Sequence, residues 1–156
     1  MLSDKAGYVS RIAGASRGQL TVITYEILLE YLDIAAMAES LAYSDAIERA
    51  RMAINTLMSA LDMSSELAKS LLPLYVYIDK LLSEAYFSSK PELLAEAKNL
   101  CAELYTAFCQ AEAKDTPQNN REPIIQKSQE IYAGITYNNS GLQEHIVQNN
   151  TRIFKG

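Results

Sequence analysis

Helix-start signals recur along this sequence at intervals that leave room for little except helices joined by tight turns. Ser16-Arg17-Gly18-Gln19 is a capping box, in which the serine hydroxyl accepts a backbone N–H three residues on and the glutamine reaches back to the serine N–H. Asp45-Ala46-Ile47-Glu48 repeats that logic. Ser89-Lys90-Pro91-Glu92 repeats it again, with proline in the first turn, where a missing N–H costs nothing. The spacing predicts helices over 17–39, from Asp45 to about Leu61, over 65–87, and from Ser89 to about 114. Apolar residues recur at three and four in each, as in Ile47, Ala50, Ile54, Leu57 and Leu61. Pro73 falls inside the third pattern and predicts a kink or a restart there. The connections are short, so neighbouring helices should run antiparallel.

These elements give an expected fold: all-α, an antiparallel up-down four-helix bundle over 16–114, preceded by an N-terminal arm over 1–15. Beyond it, DTPQNNREP is polar and proline-broken, a linker. The C-terminal extension over 115–156 then carries one short helix, 123–133, with Pro123 at its start and Gly134 at its end. The Asn-rich remainder is expected to be disordered, or ordered only against a partner. Its apolar residues Ile131, Tyr132, Ile135 and Tyr137 are candidates for folding back onto the bundle.

Composition narrows the function classes. A net charge of −5 argues against a binder of phosphate backbones, which needs a surplus of Lys and Arg on one face. No apolar run reaches the length of a membrane span, and the first residues lack the apolar core of a signal peptide. His145 is the only histidine and lies in the polar tail, which removes His-based catalysis and multi-His metal sites. Glu26 and Glu30 stand at i,i+4, but no Glu-x-x-His accompanies them, so no carboxylate-bridged metal centre is expected. Glycine-rich phosphate loops are absent as well. No catalytic residue, metal or cofactor is therefore assigned. Cys101 and Cys109, eight apart in one helical stretch, are expected to be a reduced core pair.

The first long helix has a surplus. At 100° per residue, Leu20, Ile23, Ile27, Tyr31, Ile34 and Ala38 form the natural core stripe. A second apolar set, Val22, Tyr25, Leu29, Leu32 and Ala36, lies on the opposite side, while Glu26, Glu30 and Asp33 share a narrow sector. The apolar arc spans roughly 260°, where a surface helix needs about 100°. Three explanations compete: coverage by the arm or the tail, self-pairing in a dimer, or a groove for an apolar segment of another protein. Burying Val22, Tyr25, Leu29 and Leu32 would contribute roughly 1.5–3 kcal/mol each. The sum only matches the ~4–15 kcal/mol cost of association, so a partner would have to spread over more of the bundle.

The order of features also resembles the flagellin export chaperones, the FliS family. Gly14-Ala15-Ser16-Arg17 followed by Gln19-Leu20 is similar to that family's T-A-S-P-x-x-L, and Ile23-Thr24-Tyr25-Glu26-Ile27 to its M-L-Y-D-G. LYVYIDKLLSEAY, from Leu74 to Tyr86, resembles L-Y-D-Y-M-x-R-R-L-x-E-A-N, and Glu103-Leu104-Tyr105-Thr106-Ala107-Phe108 resembles E-L-x-x-A-W. Arg17, Thr24, Ile27 and Leu81 depart from the family pattern, and the tail has no counterpart in it. The resemblance implies a non-enzymatic cytoplasmic chaperone that binds the C-terminal segment of flagellin. It would prevent premature polymerisation and deliver its client to the flagellar type III export apparatus. It further implies that the second face of the first helix, Val22, Tyr25, Leu29, Leu32 and Ala36, is the client groove. Tyr8 and Ile12 of the arm would be its lid. A monomer or weak homodimer is expected, with no nucleic acid and no membrane insertion. Two rival readings are a homodimeric interaction protein and a chaperone for another secreted helical protein.

Overall fold

The computed structural model describes residues 5–113 and 121–154, with side chains in the last helix described through residue 137. Six helices follow in order: α1 Lys5–Ala13, α2 Arg17–Met37, α3 Ser40–Ser59, α4 Glu66–Ser88, α5 Pro91–Glu112 and α6 Arg121–Phe154. Among the described residues there is no strand, and every regular element is a helix. Local chemistry explains the start of α2. The Ser16 hydroxyl accepts the Gln19 N–H at 3.3 Å, and the Gln19 side-chain oxygen accepts the Ser16 N–H at 2.9 Å. Ser65 caps α4 in the same manner, accepting the Ala68 N–H at 3.1 Å.

The other two expected starts are corrected. Asp45 lies inside α3, where it pairs with Arg49, because the helix already begins at Ser40. Ser89 ends α4 instead of starting α5. It sits in the left-handed region (φ 54°, ψ 32°) and donates its N–H to Ala85 at 3.0 Å. Lys90 then takes the N-cap position of α5 without a side-chain bond, and Pro91 occupies the first turn as read from the sequence. The restart expected at Pro73 does not occur: α4 runs unbroken through it, with the ring exposed.

Helices α2, α3, α4 and α5 pack in a ring, each touching the next and α5 closing on α2. Cross-helix pairs fix the register. Arg51 of α3 grips Asp79 of α4 through two bonds of 2.9 and 3.3 Å, and Tyr43 donates to the Ala85 carbonyl at 2.6 Å. The interior holds Tyr25, whose hydroxyl meets that of Tyr75 at 2.7 Å and whose ring lies 5.3 Å from Phe108. Two tyrosines satisfying each other allow both rings to be buried without an orphaned hydroxyl. Burial pushes the ionisation of both phenols upward, and that of the buried Cys101 thiol up to about 12. Both cysteines are free.

The face of α2 that enters the core differs from the sequence expectation. Tyr25, Leu28, Leu32 and Ala35 belong to the central cluster, whereas of the expected stripe only Ile23 is buried, Leu20 is exposed and Ile27, Tyr31, Ile34 and Ala38 are half-buried. Apolar residues surround α2 so evenly that its own pattern does not select a core face. The neighbours make that choice.

The C-terminal extension is also corrected. Its helix does not stop at Gly134 but continues to Phe154. No glycine among the described residues has positive φ, so Gly134 is an ordinary interior residue and not a terminator. Ile124, Ser128 and Ile131 are buried and Ile135 is half-buried, which seats α6 on α4 and α5. Tyr132 and Tyr137, expected to fold back with them, are exposed. The linker residues 114–120 and the tail side chains beyond 137 lie outside the described residues.

Candidate functional site

The arm residues 5–13 form a helix with no buried residue of its own, yet it lies against α2. Its hold is polar. The Arg11 guanidinium makes two bonds to the Glu26 carboxylate, 2.6 Å from Nη1 to Oε2 and 3.2 Å from Nη2 to Oε1. The Tyr8 hydroxyl donates to Glu30 Oε2 at 3.0 Å, and the guanidinium stacks over the Tyr8 ring at 5.8 Å. Residue numbers rise along α1 as their partners fall along α2, so the two helices run in opposite senses. The apolar side chains of α1 contribute little, since Val9 is 61% exposed and Ile12 43% exposed.

From α5, Tyr105 donates to Glu26 Oε1 at 3.0 Å. Glu26 therefore receives three bonds from two elements. The Arg11 bonds, opposed by burial and reinforced by Tyr105, hold its carboxyl below the usual range. The Tyr8 hydroxyl is pushed up to about 12 by burial and by its bond to Glu30. Along the same helix, Lys98 of α5 pairs with Asp33. Val22, Ile23, Glu26, Leu29 and Glu30 fall within roughly 120° of one another around the helix axis. They form a mixed face, with carboxylates between apolar side chains. A pocket of about 500 Å³ opens at its N-terminal end, between Arg11 and Ala15 on one side and Val22, Ile23 and Cys109 on the other.

The residues expected to form a groove are thus divided. Tyr25 and Leu32 are 0% and 1% exposed and are core residues, which corrects their assignment to a binding surface. Their place on the wheel is the side that α3, α4 and α5 enclose. Val22 and Leu29 are half-buried and stay on the reachable side. Ala36 is exposed and lines a second pocket of about 720 Å³ at the opposite end of α2, with Tyr43, Tyr86 and Leu94. Exposed Met37, Leu41 and Phe87 belong to that same end of the ring. Of the expected lid pair, Tyr8 touches α2 through Glu30, and Ile12 is 43% exposed.

Arg11, Glu26, Glu30 and Tyr105 were not among the expected site residues. The signal was present in the narrow carboxylate sector of Glu26 and Glu30, but its partners come from α1 and α5 and share no sequence spacing with it. Among the described residues, no three His, Cys, Asp or Glu side chains gather as a metal site requires, and no helix is long and apolar enough to cross a membrane.

Comparison with curated proteins finds no match. The sequence model of the flagellar protein FliS matches residues 3–115, which takes in α1 to α5 and leaves α6 outside. With α1 lying on the carboxylate face of α2 and the helix ring inside that matched span, the chain belongs to the FliS family of flagellin export chaperones.

Proposed function

We propose that this chain binds the C-terminal segment of flagellin in the cytosol, keeps it from polymerising early and delivers it for type III flagellar export. The scaffold for that task is the ring of α2 to α5, read as an antiparallel up-down bundle. The observation that carries the proposal is the seat of α1: a helix that buries none of its own residues covers a half-apolar face of α2 by polar contacts. A cover of that kind is readily displaced. An amphipathic client helix offers what the exposed apolar residues of α1 do not supply, apolar anchors at helical spacing for the half-buried Val22 and Leu29. Ordering a disordered client offsets part of the contact energy, which favours later release at the export apparatus.

Replacing Val22 and Leu29 together by alanine removes about five methylene-equivalents from that face, at about 0.8 kcal/mol for each one fully buried. Both residues are already half-covered, so the expected loss is about tenfold to a hundredfold in affinity for a flagellin C-terminal fragment. Isothermal calorimetry measures it, with circular dichroism confirming that helicity persists. Undiminished binding would remove the α2 face from the proposal.

A further inference from the structure

Displacing α1 has an electrostatic consequence that its apolar residues do not share. The Glu26 side chain is only 21% exposed, and its charge is met by Arg11, which belongs to the part that leaves. Tyr105 remains, but one neutral hydroxyl does not balance a carboxylate about to be covered by another polypeptide. Asp33 is in a different position, because its cation, Lys98, sits on α5 and stays. Glu30 loses the Tyr8 hydroxyl in the same event. A purely apolar segment laid over this face would leave Glu26 desolvated and without its counter-ion. The face therefore selects against such a segment as strongly as it favours a cationic one.

We infer that Glu26 is the specificity-determining residue of the α2 seat, and that the client helix docks with a lysine or arginine taking the place of Arg11. The spacing of the arm defines the pattern it replaces: a hydrogen-bond donor at one position and the cation three residues later, as in Tyr8 and Arg11, running opposite to α2. The inference rests on the proposed client reading and deepens it. It assigns α1 the role of a mimic, holding the seat by the charge the client will supply.

The wild-type chain alone cannot display this contact, because Glu26→Gln would both loosen α1 and remove the client's partner, with opposite effects on affinity. The test therefore uses full-length chain carrying Arg11→Ala, in which the competing pair is already gone. Arg11→Ala is expected to bind a flagellin C-terminal fragment several-fold more tightly than wild type. Adding Glu26→Gln, which keeps the volume and an acceptor oxygen for Tyr105, should then weaken binding about tenfold and flatten its salt dependence. Single Lys→Gln or Arg→Gln changes along the fragment probe the same contact without altering the chaperone. One of them should cost about tenfold with the Arg11→Ala chain and nothing with the double variant. Equal affinity of Arg11→Ala and its Glu26→Gln derivative, or the absence of any such fragment position, overturns the cationic contact and leaves the chaperone reading standing. Failure of the Arg11→Ala chain to bind the fragment at all overturns both.

Discussion

Glu26 concentrates the chemistry of the α1 seat in one side chain. Arg11 approaches it from the arm and Tyr105 from α5, while Tyr8 and Glu30 meet beside it. Its carboxyl is held below the ordinary value of 4.5, chiefly by the Arg11 bonds. A depressed carboxylate contributes attachment that is fully present above its unperturbed value and lost as pH falls through the depressed one. The arm is therefore expected to stay seated at neutral pH and to detach as the solution is acidified well below pH 4.5. Protection factors of the α1 amides, taken against intrinsic exchange at each pH, check this, and Glu26→Gln should show the lowered protection of the acid form already at pH 7. The Tyr8 phenol, pushed up to about 12, adds no titration in the neutral range.

At the level of elements, α1 and α6 are held in different ways. The first rests on hydrogen bonds and an ion pair, whereas α6 rests on Ile124 and Ile131, both members of the central apolar cluster. Among its described side chains the polar contribution is small: Lys127 lies 3.8 Å from Glu103, a half-exposed pair that adds little. The Ser128 hydroxyl is buried but satisfied by the Ile124 carbonyl of its own helix at 2.8 Å. Gly134 interrupts none of this, and beyond its chain neighbours and the helix's own adjacent backbone no atom lies within 4 Å of where a methyl group would stand. Gly134→Ala should therefore stabilise α6 by about 1 kcal/mol through backbone entropy alone. Thermal unfolding should register it as a raised midpoint. A lowered midpoint would show that the helix is not formed there.

Seen as one molecule, the chain divides its surface between an arm over α2 and a long helix over α4 and α5. Among the described residues, α6 has no contact with α2, so its apolar stripe does not occupy the proposed client seat. Ending the chain at Asp115 is expected to lower stability, because Ile124 and Ile131 each lose roughly 1.5–3 kcal/mol of burial at most. Affinity of the α2 face for a flagellin fragment should stay within about twofold, as calorimetry on the shortened chain would measure. A large gain in affinity would mean that α6 competes for the client after all.

Local chemistry, which a sequence carries in full, determined the class of fold and several of its joints. Ser16 and Gln19 are three residues apart, so their reciprocal bonds could be read directly, as could the proline at the start of α5. The family span was equally legible in LYVYIDKLLSEAY and in the segment around Tyr105. Tertiary structure decided which side of α2 faces inward, because a helix apolar nearly all round leaves that choice to the helices packed against it. It placed Tyr25 and Leu32 in the core and left Val22 and Leu29 within reach. It also carried α6 past Gly134, since a helix with a stripe to bury tolerates one glycine. And it brought Arg11, Glu26 and Tyr105 together from three helices, a convergence that depends on packing and leaves no periodicity to detect.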